Sequence, residues 1–163
     1  MFWNDTRLRE WAGSGRGIQP FAIECINPAS VDLRWSGKYR IANKMGWGEV
    51  RIAKSLTLTR GEFYLLDTLE TITIPDNAVG WLALKSSMGR SGLEHLHAGF
   101  FDPGFSGTAT LEVENRAPWP LTIERGQRII QIALCDCEVP ERSYQMTGRY
   151  NNQAEPEPAR RMT

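Results

Sequence analysis

The chain has 163 residues and carries 19 basic and 19 acidic side chains, which gives a formal net charge of zero. This length is enough for one domain with a hydrophobic core. The balanced charge excludes a global basic surface of the kind that binds nucleic acid or an anionic membrane, so no nucleic-acid or membrane partner is expected.

A short amino-terminal helix is the first predicted element. Residues 4–11 begin with a capping residue, carry apolar side chains at helical spacing, and precede a glycine-rich stop at 13–15. Charged residues among the first twenty positions interrupt the apolar run that a secretory signal requires, and no later segment approaches a membrane span. We therefore expect a soluble, intracellular protein.

From about Val31 onward the pattern is that of β-structure. Short runs rich in Val, Ile, Leu, Thr and aromatic residues are broken by Gly, Pro, Asn or Asp about every eight to twelve residues. Residues 56–59 and 71–74 alternate between apolar and polar, whereas 79–84 and 129–134 are more continuously apolar, as core or interface strands are. The pattern predicts an all-β barrel or jelly-roll sandwich.

A polar segment directly after the strand 79–84 is the first functional candidate. Lys85, Ser86, Ser87 and Arg90 supply two cations and two hydroxyls, which suits a phosphate or an oxyanion. A solvated loop with a capped helical turn explains the same residues equally well.

The carboxyl-terminal residues have almost nothing to bury. From Asn151 the chain is mostly Asn, Gln, Glu, Pro, Ala and Arg. We therefore predict a β domain over residues 1–150 and a flexible tail over 151–163, which is either disordered or ordered only by a ligand.

The strand at residues 108–115 carries the most informative carboxylate. Thr110, Glu112 and Glu114 share one face of this strand, and Leu111 and Val113 share the other. A solvated surface carboxylate is the ordinary interpretation of Glu112. If its face lines a pocket, however, desolvation would raise the pKa of Glu112 toward the range of a general base.

Common metal and nucleophile signatures are absent from the sequence. The pairs His95-x-His97 and Cys135-x-Cys137 lack the usual zinc spacing. The chain has neither the His-x-Glu nor the Pro-Cys-x-x-Cys of zinc nucleobase deaminases, and it has no nucleophile elbow, Walker loop or dinucleotide fingerprint. An odd number of cysteines argues against a disulfide framework and favours a reducing compartment.

A series of motifs runs through most of the chain in a fixed order. They are Pro28-Ala29-Ser30-Val31-Asp32-Leu33-Arg34, Lys85-Ser86-Ser87-x-x-Arg90, Ala98-Gly99-x-x-Asp102-Pro103-Gly104-x-Ser106-Gly107, Leu111-Glu112, Gly126-x-x-Ile129-x-Gln131, Pro140-Glu141-Arg142-x-Tyr144 and Arg149-Tyr150-x-x-Gln153. In order, spacing and turn chemistry, this set resembles the dCTP deaminase branch of the dCTP deaminase/dUTPase superfamily.

The resemblance implies a distorted β-barrel or jelly-roll subunit of dUTPase-like type in a homotrimer, with active sites at subunit contacts. It implies hydrolytic deamination of dCTP to dUTP and ammonia, which supplies dUMP for dTTP synthesis. Mg²⁺ would bind through the nucleotide phosphates, and no zinc would be needed. A cytoplasmic location in a bacterial, archaeal or virus-infected cell is expected.

The resemblance also implies roles for catalytic residues. Glu112 matches the general acid/base that takes a proton from the water attacking C4 of cytosine. Ser86 and the backbone carbonyl of Ala98 match groups that position the water and the exocyclic amine. Arg90 matches a cation required for catalysis.

Further positions match substrate-binding residues of the family. Asp102 matches the carboxylate that contacts the deoxyribose 3′-hydroxyl, and the backbone around Thr110 and Leu111 matches the stretch that contacts the pyrimidine edge. The positions that match phosphate-binding or lid residues are Lys85, Ser87, Tyr144, Arg149 and Gln153.

Two features resemble the bifunctional, dUMP-forming enzymes: Gly99-Phe100 ahead of Asp102, and Gln131, also a substrate-binding candidate, after the Gly126 turn. In that subgroup the same pocket deaminates dCTP and then cleaves between the α and β phosphates.

Two other functions stay open. A pure dUTPase would not require a glutamate at position 112, and a noncatalytic trimeric nucleotide-binding regulator would not need Ser86, Arg90 and Glu112 together. His97 stands where a small residue is expected and would alter contacts to the amine, the preferred phosphorylation state or the pH dependence.

Overall fold

A curled, antiparallel β-sheet dominates the computed structural model, which describes residues 1–96 and 98–160. The predictions of an all-β fold and a short amino-terminal helix are confirmed. Within these residues, no helix is long and apolar enough to cross a membrane. The elements in chain order are α1 (Asp5–Gly13), β1 (Ile18–Gln19), a 3₁₀ turn (Ile23–Cys25), β2 (Ile26–Asn27), β3 (Ser30–Asn43), β4 (Gly46–Trp47), β5 (Arg51–Ile52), β6 (Ser55–Leu58), β7 (Phe63–Thr73), β8 (Ala78–Leu84), α2 (Ser86–Arg90), β9 (Leu93–His95), β10 (Phe100–Phe101), β11 (Ser106–Asn115), β12 (Leu121–Glu124), β13 (Arg128–Asp136) and α3 (Tyr144–Thr147).

Strand β3 joins the two halves of the sheet. The strand order is β10-β8-β13-β3-β7-β11-β9, with β1, β2, β4 and β5 paired beside this path, while β6 and β12 form a separate two-stranded sheet. The first part of β3 pairs with β13, and from Trp35 onward β3 pairs with β7. The register shifts between Trp35 and Tyr39, and such an irregularity bends a strand, which helps the sheet curl around the core.

The core lies inside this curl and takes side chains from both halves of the sheet. The inward positions of the long strands are fully buried, and burial of each large apolar side chain contributes roughly 1.5–3 kcal/mol. Examples from four strands are Leu33, Trp35, Leu66, Leu111 and Ile132.

Helix α1 begins at the predicted capping residue. The Asn4 side chain accepts a hydrogen bond from the Arg7 backbone amide at 3.1 Å, and Leu8 and Ala12 are fully buried. The helix ends at Gly13, where the glycine-rich stop begins.

An ion pair with a buried carboxylate ties β3 to β7. Arg34 Nε donates to Glu70 Oε1 at 2.6 Å, and the Arg34 backbone amide donates to Glu70 Oε2 at 2.9 Å. The Glu70 side chain is 2% exposed. Burial raises the pKa of Glu70, and the contacts from Arg34 oppose that shift. Removing one member of such a pair leaves the other without its partner.

We expect Glu70→Ala to lower the free energy of unfolding by about 3 kcal/mol, because the Arg34 guanidinium loses its carboxylate. The matched control is Glu114→Ala, whose partner Arg116 lies on the surface with 59% of its side chain exposed. That change should cost less than about 1 kcal/mol. Urea denaturation followed by tryptophan fluorescence measures both. Equal losses would contradict a special role for the buried pair.

Candidate active site

A cavity of about 520 Å³ opens beside the paired strands β7 and β11. Aromatic and aliphatic side chains make most of its wall, and a few polar groups lie among them, which is typical of a small-molecule site. The residues that line it are Trp47, Phe63, Leu65, Ala98, Phe100, Phe101, Asp102, Phe105, Thr110, Glu112, Tyr144, Tyr150, Gln153, Glu157 and Ala159.

The alternation of β11 directs Glu112 into this cavity. Thr110 and Glu112 are half-buried and line the cavity, whereas Leu111 and Val113 are buried in the core. Glu112 pairs across the sheet with Leu65, which is 3% exposed and lines the same cavity. The predicted division of this strand into two faces is therefore confirmed.

The Glu112 carboxyl group lies in a poorly solvated environment. Its side chain is 25% exposed, and Oε2 is buried without a hydrogen-bond partner in the part of the chain that the structure describes. Nε2 of the buried His95 lies 3.7 Å from Glu112 Oε2. Burial raises the pKa of Glu112 above its ordinary value of 4.5, and a backbone hydrogen bond partly offsets this shift. A carboxyl group with this property suits general acid/base chemistry.

The turn before β11 brings Asp102 to the same cavity. Asp102 follows the short strand β10 and is exposed, while Phe101 and Phe105 on either side of the turn are buried. The Phe105 ring lies 5.7 Å from the Tyr144 ring, so the start of α3 packs against this turn. The Tyr144 hydroxyl also accepts a hydrogen bond from the Tyr150 backbone amide at 3.2 Å.

Residues 151–160 lie beside β11 and reach the cavity. The Asn151 side chain accepts a hydrogen bond from the Ser106 amide at 2.9 Å, and Gln153 Nε2 donates to the Thr108 carbonyl at 2.6 Å. Gly107 permits this approach, because a β-carbon there would come within 3.0 Å of the Gln153 backbone. Gln153 is 8% exposed. Contacts within the chain therefore hold this part of the tail against β11, and the flexibility of the tail stays a prediction.

A polar residue such as Gln153 can be buried here because its hydrogen bonds are satisfied. Composition alone shows little apolar surface in the tail, but it does not reveal which strand edge will accept its amides. Residues 161–163 of the predicted tail lie outside the described residues.

Several predicted site residues meet in this cavity, although they are far apart in the sequence. Leu111 contributes its side chain to the core, and only its backbone lies beside the cavity residues Thr110 and Glu112. The predicted residues that line the cavity are Ala98, Asp102, Thr110, Glu112, Tyr144 and Gln153.

Other predicted residues do not line this cavity. Ser86, Ser87 and Arg90 are exposed on α2, and Arg149 is also exposed. Their side chains are absent from the cavity wall of the single chain. His97, whose effect the sequence leaves open, lies outside the described residues.

Lys85 and Gln131 have structural partners away from the cavity. Lys85 Nζ contacts Oδ2 of Asp32, a carboxylate that is 1% exposed, and Arg128 Nη1 lies 3.5 Å from the same oxygen. The Gln131 side chain accepts a hydrogen bond from Ser30 Oγ at 2.7 Å and lines a second cavity.

Sequence reasoning missed several residues in and beside the site. Trp47 and Phe63 form an aromatic pair with ring centroids 5.0 Å apart, but Trp47 was interpreted only as part of a glycine-containing break. His95 was considered only as a metal ligand, and Glu157 only as part of a polar tail. Phe63 and Leu65 are two residues apart on β7, so strand alternation predicts that they share a face. It does not predict that this face lies beside Glu112.

Comparison with known proteins identifies the family. The family described as dCTP deaminase-like matches residues 3–137. The chain belongs to the dCTP deaminase-like family. A protein of Mycobacterium sp. (strain KMS) named dCTP deaminase, dUMP-forming, is 38% identical over 181 aligned positions, which cover 98% of this chain and 95% of the relative. One of the same name from Corynebacterium glutamicum (strain R) is 36% identical, covering 98% of this chain and 96% of the relative.

Solved structures agree with this family at the level of the fold. The 2′-deoxycytidine 5′-triphosphate deaminase of Agrobacterium tumefaciens superposes with a TM-score of 0.70 at 20% identity; the match covers 82% of this chain and 47% of that protein. A mutant dUTPase from phage phi11 of S. aureus gives a TM-score of 0.52 at 17% identity, covering 71% of this chain and 82% of that protein. The dUTPase-like fold expected from the motifs is therefore confirmed.

We expect Leu65→Ala in this member of the dCTP deaminase-like family to lower the pKa of Glu112 toward 4.5. The truncated side chain admits water beside the carboxyl group and relieves its desolvation. Carbon-13 NMR titration of the glutamate carboxyl groups measures the shift. Leu84→Ala, on β8 and outside the cavity wall, should leave the Glu112 titration unchanged. A pKa of Glu112 that stays constant or rises in Leu65→Ala would show that this wall does not control its solvation.

Proposed function

We propose that this protein deaminates dCTP without zinc and continues to dUMP, releasing ammonia and diphosphate. The observation that carries the proposal is Glu112, a desolvated carboxyl group inside a cavity large enough for a small molecule. The names of the relatives at 36–38% identity, which align over 98% of this chain, support both the substrate and the dUMP product.

In the deamination step, ionised Glu112 takes a proton from water as the oxygen attacks C4 of cytosine. Glu112 delivers that proton to N3 and then transfers the proton of the new C4 hydroxyl to the amine, so that the C4–N bond breaks, the C4 carbonyl forms and ammonia leaves. General acid/base action of this kind contributes roughly a hundred- to ten-thousand-fold in rate. The Ala98 carbonyl, at the cavity wall, accepts a hydrogen bond from the amine.

The remaining cavity residues would hold the nucleotide. Asp102 contacts the 3′-hydroxyl, and the Thr110 and Leu111 backbone contacts the pyrimidine edge. Tyr144 and Gln153 lie at the cavity wall where the carboxyl-terminal segment crosses it. Lys85, Ser87 and Arg149 lie outside the cavity wall of their own chain, so they would contact the phosphates only where assembly brings them to a neighbouring cavity.

In the second step, water attacks the α-phosphorus of dUTP. The bond from that phosphorus to the oxygen shared with the β-phosphorus breaks, and diphosphate leaves. Mg²⁺ carried by the triphosphate would neutralise charge on both fragments. The described residues contain no group of three or more His, Cys, Asp or Glu side chains that could hold a metal, and a metal bound mainly by phosphates and water needs no such group.

We further propose a homotrimer in which α2 of one subunit completes the cavity of its neighbour. Ser86 and Arg90 are exposed and lie outside the cavity of their own chain. Phe2, Trp81 and Phe100 are each more than half exposed, and a surface of this kind is suited to contact with another subunit. An isolated chain would therefore hold Glu112 without the cation that its reaction requires.

Incubation with dCTP and Mg²⁺ tests the reaction when ammonia, dUTP, dUMP and diphosphate are followed together. We expect ammonia, dUMP and diphosphate in equal amounts, with little dUTP released. Ammonia with accumulating dUTP would restrict the activity to deamination. Hydrolysis of added dUTP without ammonia from dCTP would identify a dUTPase, and no turnover of either would favour a noncatalytic regulator.

Mixed trimers test the shared site. We expect Glu112→Gln and Arg90→Ala to be inactive separately, because one lacks the base and the other the cation. After unfolding and refolding as an equal mixture, about a quarter of the sites would combine an intact Glu112 with an intact Arg90 from the neighbour. Activity near that fraction supports sharing. Glu114→Gln, outside the cavity wall, is the matched control and should stay active. A mixture as inactive as its components would contradict sharing.

A further inference from the structure

The carboxyl-terminal residues 153–157, here called the strap, are attached to β11 at both ends. The Thr108 amide donates to the Gln153 carbonyl at 2.9 Å, and the Glu157 amide donates to Thr110 Oγ1 at 3.2 Å. Gln153 and Glu157 also line the cavity that holds Glu112. The strap therefore borders the candidate active site.

The middle of the strap is held by β3, on the other side of β7. Lys38 Nζ donates to the Ala154 carbonyl at 2.6 Å, and Arg40 Nε donates to the Pro156 carbonyl at 2.8 Å. Arg40 Nη2 also lies 3.0 Å from Glu155 Oε1. Because β7 lies between β3 and β11 in the sheet, a segment bonded to both must cross β7.

A buried carboxyl group lies on β7 at this crossing. Asp67 is opposite Thr110 on β11, and residues 36–38 of β3 stand on its other side where the β3 register shifts. Its side chain is fully buried. Ser36 Oγ donates to Asp67 Oδ1, but Oδ2 has no hydrogen-bond partner among residues 1–96 and 98–160.

The charges around Asp67 only partly compensate its burial. Desolvation raises the pKa of Asp67 from 3.8 to about 6; the Ser36 hydrogen bond and the Lys38 charge lower it, and the Glu155 charge raises it. From β11, the facing residue Thr110 is uncharged, and Glu112 lies farther along the same face. Lys38 of β3 and Glu155 of the strap thus act on the pKa of Asp67 in opposite directions.

We infer that the ionised Asp67 carboxylate destabilises the closed strap at neutral pH. The carboxylate is covered when the strap is closed and solvated when the strap lifts. The strap can then open for exchange of small molecules and still close through its contacts with Lys38, Arg40 and β11. This role depends on the proposed function only for the identity of the molecules that enter and leave the cavity.

The direction of the pH effect follows from the protonation of the two states. The closed state binds a proton to Asp67 more tightly than the open state, whose pKa returns toward 3.8. Closure is therefore strongest below pH of about 4, weakens as the pH rises, and levels off above about 6. Because the pKa of Asp67 is 3.8 in the open state and about 6 in the closed state, the equilibrium constant for closure falls by at most roughly a hundredfold as the pH rises.

Hydrogen–deuterium exchange of the full chain tests this role without any activity assay. The probes are the Glu157 amide at the end of the strap, which donates to Thr110 Oγ1, and the Asn152 amide directly before the strap, which donates to the Ser106 carbonyl. In the natural protein, we expect their protection factors to fall between pH 4 and 6.5 and then stay constant. Asp67→Asn keeps the shape but removes the charge, so its protection factors should exceed the natural ones by up to roughly a hundredfold at pH 7.5 and match them at pH 4.

Two further variants separate Asp67 from general charge effects. Glu157→Gln removes an acid on the strap that pairs with Arg160, and it should retain the pH dependence. Ser36→Ala leaves Asp67 in place without its hydrogen bond, so the fall in protection should extend to higher pH. Protection that does not change with pH in the natural protein, or an unchanged pH dependence in either Asp67→Asn or Ser36→Ala, would overturn the proposal.

Discussion

The antiparallel pairing of β7 with β11 is the interaction on which both the core and the site depend. Because side chains alternate across a strand, Leu111 and Val113 face the core while Thr110 and Glu112 face the cavity. A shift of one residue in this register would exchange the two sets. Core packing therefore fixes the position of the candidate general base, and the site needs no separate scaffold.

The same sheet face holds two carboxyl groups whose pKa values burial raises, and their surroundings distinguish them. Glu112 faces a cavity, so a carboxyl group whose pKa is raised by desolvation can exchange protons with a molecule bound there. Asp67 is fully buried where the strap crosses β7, and Ser36 donates a side-chain hydrogen bond to its Oδ1. Desolvation of Glu112 thus suits proton transfer to a bound molecule, whereas desolvation of Asp67 suits control of the strap.

The single chain keeps Arg90 and Lys85 apart from Glu112, its candidate base. Arg90 projects from α2 outside the cavity, and Lys85 is engaged by the buried Asp32. Electrostatic stabilisation of a reacting group requires donors close to where the charge develops. This separation is the physical reason to expect that assembly, rather than folding alone, completes the site.

The sequence by itself determined the β-class, the amino-terminal helix, the two faces of β11 and the family motifs, because these depend on local periodicity, turn residues and the order of short segments. It did not determine that Trp47 and Phe63 meet in the cavity that holds Glu112, that Gln153 is buried against Thr108, or that Asp67 is fully buried where the strap crosses β7. Those contacts join residues distant in the chain. Only the tertiary structure decided them, because strand register and the bend in β3 determine which distant residues become neighbours, and neither follows from local pattern.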